Sequence, residues 1–247
     1  MNIALVGYGK MGRMIEAAAI ARGHTITCRI DPNAPQADAP GIEEAGAGLD
    51  RADVVIEFSH PTVVLANIRA LIARGKTVVV GTTGWHDHLG ELAPLVEEAG
   101  IGFLWSSNFS LGVNLFYKIA QEAARLFDPH PEYDVGGWEA HHNRKADSPS
   151  GTAKTLVERV LASMTRKTTA VYETLTDRPP EAHELHFPSL RLGSVPGTHS
   201  IFLDSGADTI ELTHTARSRE GFASGAVVAA EWLSTKRGVF TMDDVLA

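Results

Sequence analysis

The first half of the chain alternates short apolar runs with amphipathic segments. Asn2–Gly7 is an apolar run that ends in glycine, and Met11–Arg22 is Ala-rich, helix-favouring and closed by Gly23. His24–Ile30 reads as a second strand. Asp53–Phe58 reads as a third, and its unbroken Val-Val-Ile centre predicts burial on both faces. Pro61 opens a predicted helix with Val63, Val64, Ile68, Leu71 and Ile72 on its apolar face, ended by Gly75. Thr77–Val80 is a fourth strand, Leu89, Leu92, Leu95 and Val96 mark a helix before Gly100, and Ile101–Trp105 is a fifth strand. Repeated strand–helix units predict a parallel sheet with right-handed crossovers.

The pattern then changes. Val113–Phe127 is helical, with Leu115, Ile119, Ala123 and Leu126 spaced along one face. Another amphipathic helix follows Ser150 and carries Leu156, Val157, Val160, Leu161 and Met164. Residues 168–215 alternate as strands: Leu185 and Phe187, Ile201 and Leu203, then Ile210, Leu212 and His214, with a turn at Val195–Thr198. Phe222–Leu233 reads as a closing helix. The expected fold is α/β: an N-terminal doubly wound domain, then an α+β domain with a mostly antiparallel sheet. Asp31–Gly48, rich in Pro, Ala and Gly, reads as a surface loop of the first domain. No internal repeat or low-complexity segment stands out.

Composition narrows the classes. The 247 residues carry 22 Lys plus Arg against 30 Asp plus Glu, a net charge of −8. That balance disfavours general binding to nucleic acid or to an anionic membrane, while leaving room for a local basic pocket. Hydrophobic residues are 44% and charged residues 21%, ordinary globular usage. The single cysteine, Cys28, excludes an intramolecular disulfide framework and a Cys-cluster metal site, and reads as a small buried residue in a strand. No apolar run approaches the roughly 18 residues of a membrane span. The N-terminus starts directly in a strand pattern without a signal-peptide layout, so the expected location is the cytoplasm.

Gly7-Tyr8-Gly9-Lys10-Met11-Gly12 fits G-x-G-x-x-G between a strand and a helix, and Asp31 follows Gly12 by 19 residues at the end of the second strand. In that context Gly7 permits the tight turn, Gly9 lets backbone approach a pyrophosphate, and Gly12 allows close helix–strand packing. Unpaired N–H groups at the helix start favour phosphates, and Asp31 suits an adenine-ribose diol. Its carboxylate favours NADH, whereas Arg29 and Lys10 suit a 2′-phosphate, so NADPH stays open. Gly81-Thr82-Thr83-Gly84 and Ser106-Ser107-Asn108-Phe109 follow the fourth and fifth strands, where open α/β sheets bind ligands. Their small and hydroxyl-bearing residues suit a nicotinamide carboxamide and ribose, and equally suit ordinary turns.

Glu139–Lys154 packs His141, His142, Lys145 and a helix start at Ser150-Gly151-Thr152 into sixteen residues. Adjacent histidines in an extended chain point to opposite faces, and no H-x-H or H-x-x-x-H spacing is present, which argues against a metal. A solvated charged loop is one reading. The other is an anionic substrate site, with His and Lys as proton donors or carboxylate holders and the helix start as an anion cradle. A dinucleotide on one domain and an anion cradle with acid groups on the other imply hydride reduction of a small carboxylate-bearing substrate.

With these segments in view, the chain resembles the dihydrodipicolinate reductase family. The resemblance rests on the glycine loop, Phe58-Ser-His-Pro61, Gly81–Gly84, Asn108–Asn114, Glu139–Ala153, Arg191–His199 and His214–Arg219, and runs nearly end to end. The loop is one residue shorter than the G-x-x-G-x-x-G frequent in that family. The resemblance implies NADH- and/or NADPH-dependent reduction of 4-hydroxy-tetrahydrodipicolinate to tetrahydrodipicolinate with loss of water, in lysine and diaminopimelate biosynthesis. It implies His141 as proton donor and Lys145 as a second catalytic group. His142, Gly151 and Thr152 would bind substrate carboxylate. Gly7 to Gly12, Asp31, Gly81, Thr82, Thr83 and Ser106 to Phe109 would contact cofactor. It also implies a cofactor domain of residues 1–108 and 216–247, a substrate and oligomerisation domain of residues 109–215, and a homotetramer. An alternative is another Rossmann-type imine or amino-dicarboxylate dehydrogenase, which has no reason to carry the His-His-x-x-Lys string. A dinucleotide-sensing regulator would need a DNA-reading element or basic stripe, and neither is visible.

Overall fold

A parallel six-stranded sheet organises the first part of the chain. The computed structural model describes residues 1–247, which form two compact units: Met1–Leu111 with Glu220–Ala247, and Gly112–Arg219. In chain order the first unit begins β1 (Asn2–Val6), α1 (Lys10–Ala21), β2 (Thr25–Ile30), the short α2 (Gly46–Asp50), β3 (Val54–Glu57), α3 (Val64–Ala73), β4 (Val78–Val80), α4 (Leu89–Ala99) and β5 (Gly102–Trp105). The second unit holds α5 (Leu111–Phe127), β6 (Asp134–His141), α6 (Gly151–Ala162), β7 (Thr169–Val171), β8 (Glu184–His186), β9 (Ser189–Arg191), β10 (Thr198–Asp204) and β11 (Thr209–Thr215). The chain then re-enters the first unit with α7 (Glu220–Leu233), β12 (Gly238–Thr241) and α8 (Met242–Val245). No helix is long and apolar enough to cross a membrane.

The first sheet runs β12-β5-β4-β3-β1-β2, parallel throughout. Successive connections reverse direction at β1 and β3, so the loops after those strands flank the crevice where such sheets bind ligands. Val54, Val55 and Ile56 are all buried because helices cover both faces. Ile15, Ala19, Ala226, Val227 and Leu233 fill one face, and Ile68, Leu71, Leu92 and Val96 fill the other. The Asp31–Gly48 segment differs from the surface loop expected. Ala39 bridges to Ile30, and Ala39, Ile42 and Ala45 are buried with Leu49 and Cys28 in the core. Scattered single apolar residues carry no period, which is why the segment reads as loop.

The second unit's four-stranded sheet is mixed. Its order is β11-β10-β6-β9, with β10 antiparallel to both β11 and β6 and β9 parallel to β6, while β7 and β8 form a separate parallel pair. The parallel pairing follows from the connection: α6 lies between β6 and β9 and returns the chain in the same direction. Leu156, Val157, Val160, Leu185, Phe187, Ile201 and Leu203 form its core with Val113, Phe116 and Ala120.

Candidate active site

In the first unit, the ends of β1, β2, β4 and β5 carry the predicted cofactor loops. Gly7 has φ +89°, and a Cβ there would lie 2.2 Å from the Phe58 carbonyl oxygen, so no other residue fits this turn. A Cβ on Gly12 would lie 2.2 Å from the Gly7 carbonyl oxygen, whereas Gly9 faces open space. Gly9 is also the N-cap of α1 and supplies no side chain to its N–H groups. Lys10 is exposed beside it. This cradle, open at Gly9 with uncapped N–H groups, fits a pyrophosphate.

Asp31 braces the loop. Its Oδ2 accepts the Tyr8 N–H at 2.8 Å, and its Oδ1 accepts the Asn33 and Ala34 N–H groups at 2.8 and 3.1 Å. The Tyr8 side chain turns inward to donate to Glu16, which raises the phenol's pKa. Arg29 is committed elsewhere: it grips Glu16 and lies 3.2 Å from Asp38 Oδ2. Its hydrogen bonds hold the Glu16 carboxyl below the usual range. That pairing engages the Arg29 guanidinium with two carboxylates.

The other two loops divide into exposed and structural residues. Thr83 and Ser107 are exposed and Met11 is half-buried. Thr82 is buried, with its Oγ1 accepting the Ser59 N–H at 2.8 Å and its carbonyl accepting Trp85 Nε1–H at 2.8 Å. Gly81 leaves room for the Phe58 ring, which a Cβ would meet at 2.0 Å. Ser106 and Asn108 close a turn on each other, and Asn108 Oδ1 accepts the Ser110 N–H at 2.9 Å. Phe109 lies in the core, 5.6 Å between ring centroids from Phe58. One residue without a sequence signal is Glu57, fully buried at the end of β3. Burial pushes its carboxyl up against hydrogen bonds from Ser59, Thr82 and Asn67.

In the second unit, β6 ends at His141 and the start of α6 lies beside it. Ser150 caps α6 by accepting the Ala153 N–H at 3.0 Å. Both Ser150 and His141 meet Glu139, which is fully buried. Glu139 Oε1 accepts from Ser150 N–H (3.0 Å), Ser189 Oγ (2.7 Å) and Arg191 Nη2 (3.2 Å). Its Oε2 accepts from Ser150 Oγ, with His141 Nδ1 at 3.3 Å and His199 Nε2 at 3.4 Å. Burial works to raise this carboxyl, but the surrounding His141, His199, Ser150 and Ser189 outweigh it and hold it well below the carboxylate range. His199, 3% exposed, is pushed down by burial.

His142 follows the end of β6, and its buried Nδ1 has no partner. Lys145 Nζ is 2.8 Å from Asp147 Oδ1. Gly151 is exposed with open space where a Cβ would be, and the Thr152 carbonyl accepts from Tyr117 Oη at 3.4 Å. Burial raises the Tyr117 phenol to about 12. The donor atoms of Glu139, His141 and His199 lie within 4.8 Å of one another, the spacing of a metal-binding trio. Both oxygens of the carboxylate already accept Ser150, Ser189 and Arg191 donors, while the Nδ1 atoms of His141 and His199 are buried without a hydrogen-bond partner. The expectation based on His141 and His142 did not consider it, because His199 joins from a strand 58 residues away.

This architecture defines a dinucleotide-binding α/β protein with a second unit built around buried acid–base side chains. Residues 1–109 match the family model described as dihydrodipicolinate reductase, N-terminus, and residues 112–246 match its C-terminus counterpart. The chain belongs to the dihydrodipicolinate reductase family, and its first unit carries that family's pyridine-nucleotide-binding Rossmann domain. It is 41% identical over 248 residues to the 4-hydroxy-tetrahydrodipicolinate reductase of Christiangramia forsetii, covering 100% of this chain and 98% of the relative. It is 37% identical over 262 residues to the protein of that name from Archaeoglobus fulgidus, covering 100% of both chains. Its fold is similar to a dipicolinate-bound dihydrodipicolinate reductase from Paenisporosarcina sp. TG-14, with TM-score 0.81, 21% identity, and 99% and 98% of the two chains covered.

Proposed function

We propose that the glycine loop and the His141–Thr152 segment together carry the family's reaction: reduction of 4-hydroxy-tetrahydrodipicolinate to tetrahydrodipicolinate, with loss of water. The chain acts as a 4-hydroxy-tetrahydrodipicolinate reductase, an oxidoreductase of lysine and diaminopimelate biosynthesis. The observation that carries the assignment of roles is the convergence of His141 and the N-terminus of α6 on one buried carboxylate, which sets a proton donor beside an anion cradle.

When bound, the dinucleotide supplies the hydride. His141 donates the proton to the ring carbon next to the one reduced. Lys145 and the N–H groups at Gly151 and Thr152 hold the substrate's carboxylates and stabilise negative charge as it develops. Lys145 exchanges its exposed partner Asp147 for the substrate. His142 supplies a further contact to a carboxylate.

Gly7, Gly9, Gly12 and the N–H groups of Lys10 and Met11 cradle the pyrophosphate, and Tyr8 sets the turn. Asp31 meets the adenine ribose while bracing the loop. Gly81, Thr82, Thr83, Ser106, Ser107, Asn108 and Phe109 frame the nicotinamide end, with Thr83 and Ser107 exposed for direct contact. With Arg29 neutralised by Glu16 and Asp38, NADH is the preferred reductant over NADPH.

A homotetramer in the cytoplasm completes the reading. Trp138 and Phe202 share the outer face of β6 and β10 and remain partly exposed, as an interface would use. Light scattering on the eluting protein tests it.

The deciding experiment couples the purified protein to the upstream synthase with pyruvate and aspartate semialdehyde, and follows NADH and NADPH oxidation. Synthase-dependent oxidation, faster with NADH, is the expected result. Binding of dinucleotide without synthase-dependent oxidation would overturn the reading and favour a different dicarboxylate substrate.

A further inference from the structure

Glu139 is the one carboxylate of the second unit with no exposed surface, and it lies two residues before His141 on the same face of β6. Burying a charge is costly unless donors surround it. Here the donors are Ser150, Ser189 and Arg191, and the same group faces both His141 and His199. His141 Nδ1 is buried without a hydrogen-bond partner and has Glu139 Oε2 as its near neighbour at 3.3 Å, so a proton on that nitrogen faces the carboxylate, whereas a lone pair would oppose it. The ring's other nitrogen then does the chemistry. Nε2 lies beside Gly197, where a Cβ would be 2.9 Å away, and Gly197 has φ +152°. A residue with a side chain at 197 would be strained and would crowd Nε2.

We propose that Glu139 is a positioning residue: it fixes His141 as the Nδ1–H form with Nε2 as the proton-transferring atom. By holding Ser150 it also locks the start of α6 to that ring. One carboxylate therefore sets the donor and the anion cradle in a common register. The inference rests on His141 being the proton donor, and it adds which nitrogen works and what orients it. Glu139 touches no substrate and acts through its neighbours.

The test combines kinetics with 15N NMR of histidine-labelled protein, using the wild type, Glu139→Gln, Glu139→Asp and His141→Gln. Loss of the His141→Gln resonance assigns the signal. The wild type is expected to show a proton on Nδ1 of neutral His141. In Glu139→Gln the amide can turn its NH2 toward Nδ1, and the signal moves toward the Nε2–H form. Its kcat falls roughly 10²-fold, the scale of a misplaced catalytic group, with dinucleotide Kd unchanged. Glu139→Asp keeps the charge and recovers part of kcat. A wild-type His141 protonated on Nε2 alone would overturn the proposal, and this measurement needs no folded Glu139 variant. So would a folded Glu139→Gln with wild-type kcat beside an inactive His141→Gln. Full activity in His141→Gln would instead defeat the proton-donor reading itself.

Discussion

The anion site proposed for the first unit is made of backbone. Its working parts are uncapped N–H groups, and its glycines are required because a Cβ at residue 7 or 12 would overlap a carbonyl oxygen. The site proposed for the second unit adds acid–base side chains to the N–H groups at the start of α6, and its geometry depends on a charge held away from water at Glu139. The first kind of site is set once the sheet forms, because sterics alone define it. The second is sensitive to charge and protonation, because removing one partner leaves the others unsatisfied. A cofactor common to many enzymes suits the first, and proton transfer to one substrate suits the second.

The contrast breaks first at the proposed catalytic pair. His141→Gln and Lys145→Ala are each expected to lower kcat by about 10²–10⁴ in the coupled assay. Near-normal rates in both would remove the acid–base role from the second unit. Gly12→Ala tests the backbone site in the opposite sense. Its Cβ would meet the Gly7 carbonyl, costing about 1–3 kcal/mol of stability and weakening dinucleotide binding. Thermal melts and calorimetric titration should show both losses while kcat at saturation changes less than in the histidine variant.

Protonation gives a smaller effect. Burial lowers the pKa of His199 and His214 in the second unit and of His86 in the first. A lowered histidine means the unfolded chain binds more protons, so stability rises with pH. The loss begins as pH falls through the unfolded histidine value of about 6.5, and Glu139 adds to it only once pH reaches the carboxylate range. The unfolding midpoint should therefore fall between pH 7 and 5, and His214→Asn should flatten the decline. A midpoint independent of pH over that range would contradict it. The smallest expected change is in cofactor choice. Glu16→Gln frees Arg29 from its closest partner and should raise the NADPH to NADH ratio of kcat/KM by up to about fivefold, the worth of one ion pair.

The two sites also differed in how far they could be read from sequence. The glycine loop was legible because its residues are contiguous and each has a steric reason to be glycine. His141, Lys145 and Ser150–Thr152 were legible for the same reason of contiguity. β6 itself was not. Its core-facing positions are Val135, Gly137, Glu139 and His141, so no apolar alternation marks it as a strand. Gly137 is there because a Cβ would strike the Ser200 carbonyl at 2.3 Å, a constraint set by β10. The partnership of Glu139 with Ser189, Arg191 and His199 was hidden because it is assembled by strand pairing across 50 or more residues. The parallel β9 was obscured likewise, since nothing in three residues records the direction of their neighbour.

The return of the chain through α7 and β12 carries a consequence for synthesis. Ala223, Ala226, Val227, Ala230 and Leu233 of α7 complete the core over β1, β3, β4 and β5, and β12 covers the β5 edge. A ribosome releases residues 112–219 before any of these. The nucleotide-binding unit, which starts before the second unit in the chain, is thus the last to close. Until residue 241 is out of the exit tunnel, one sheet face is covered by α1 without α7 and one strand edge stays bare, in a nascent chain whose second unit is already fully translated.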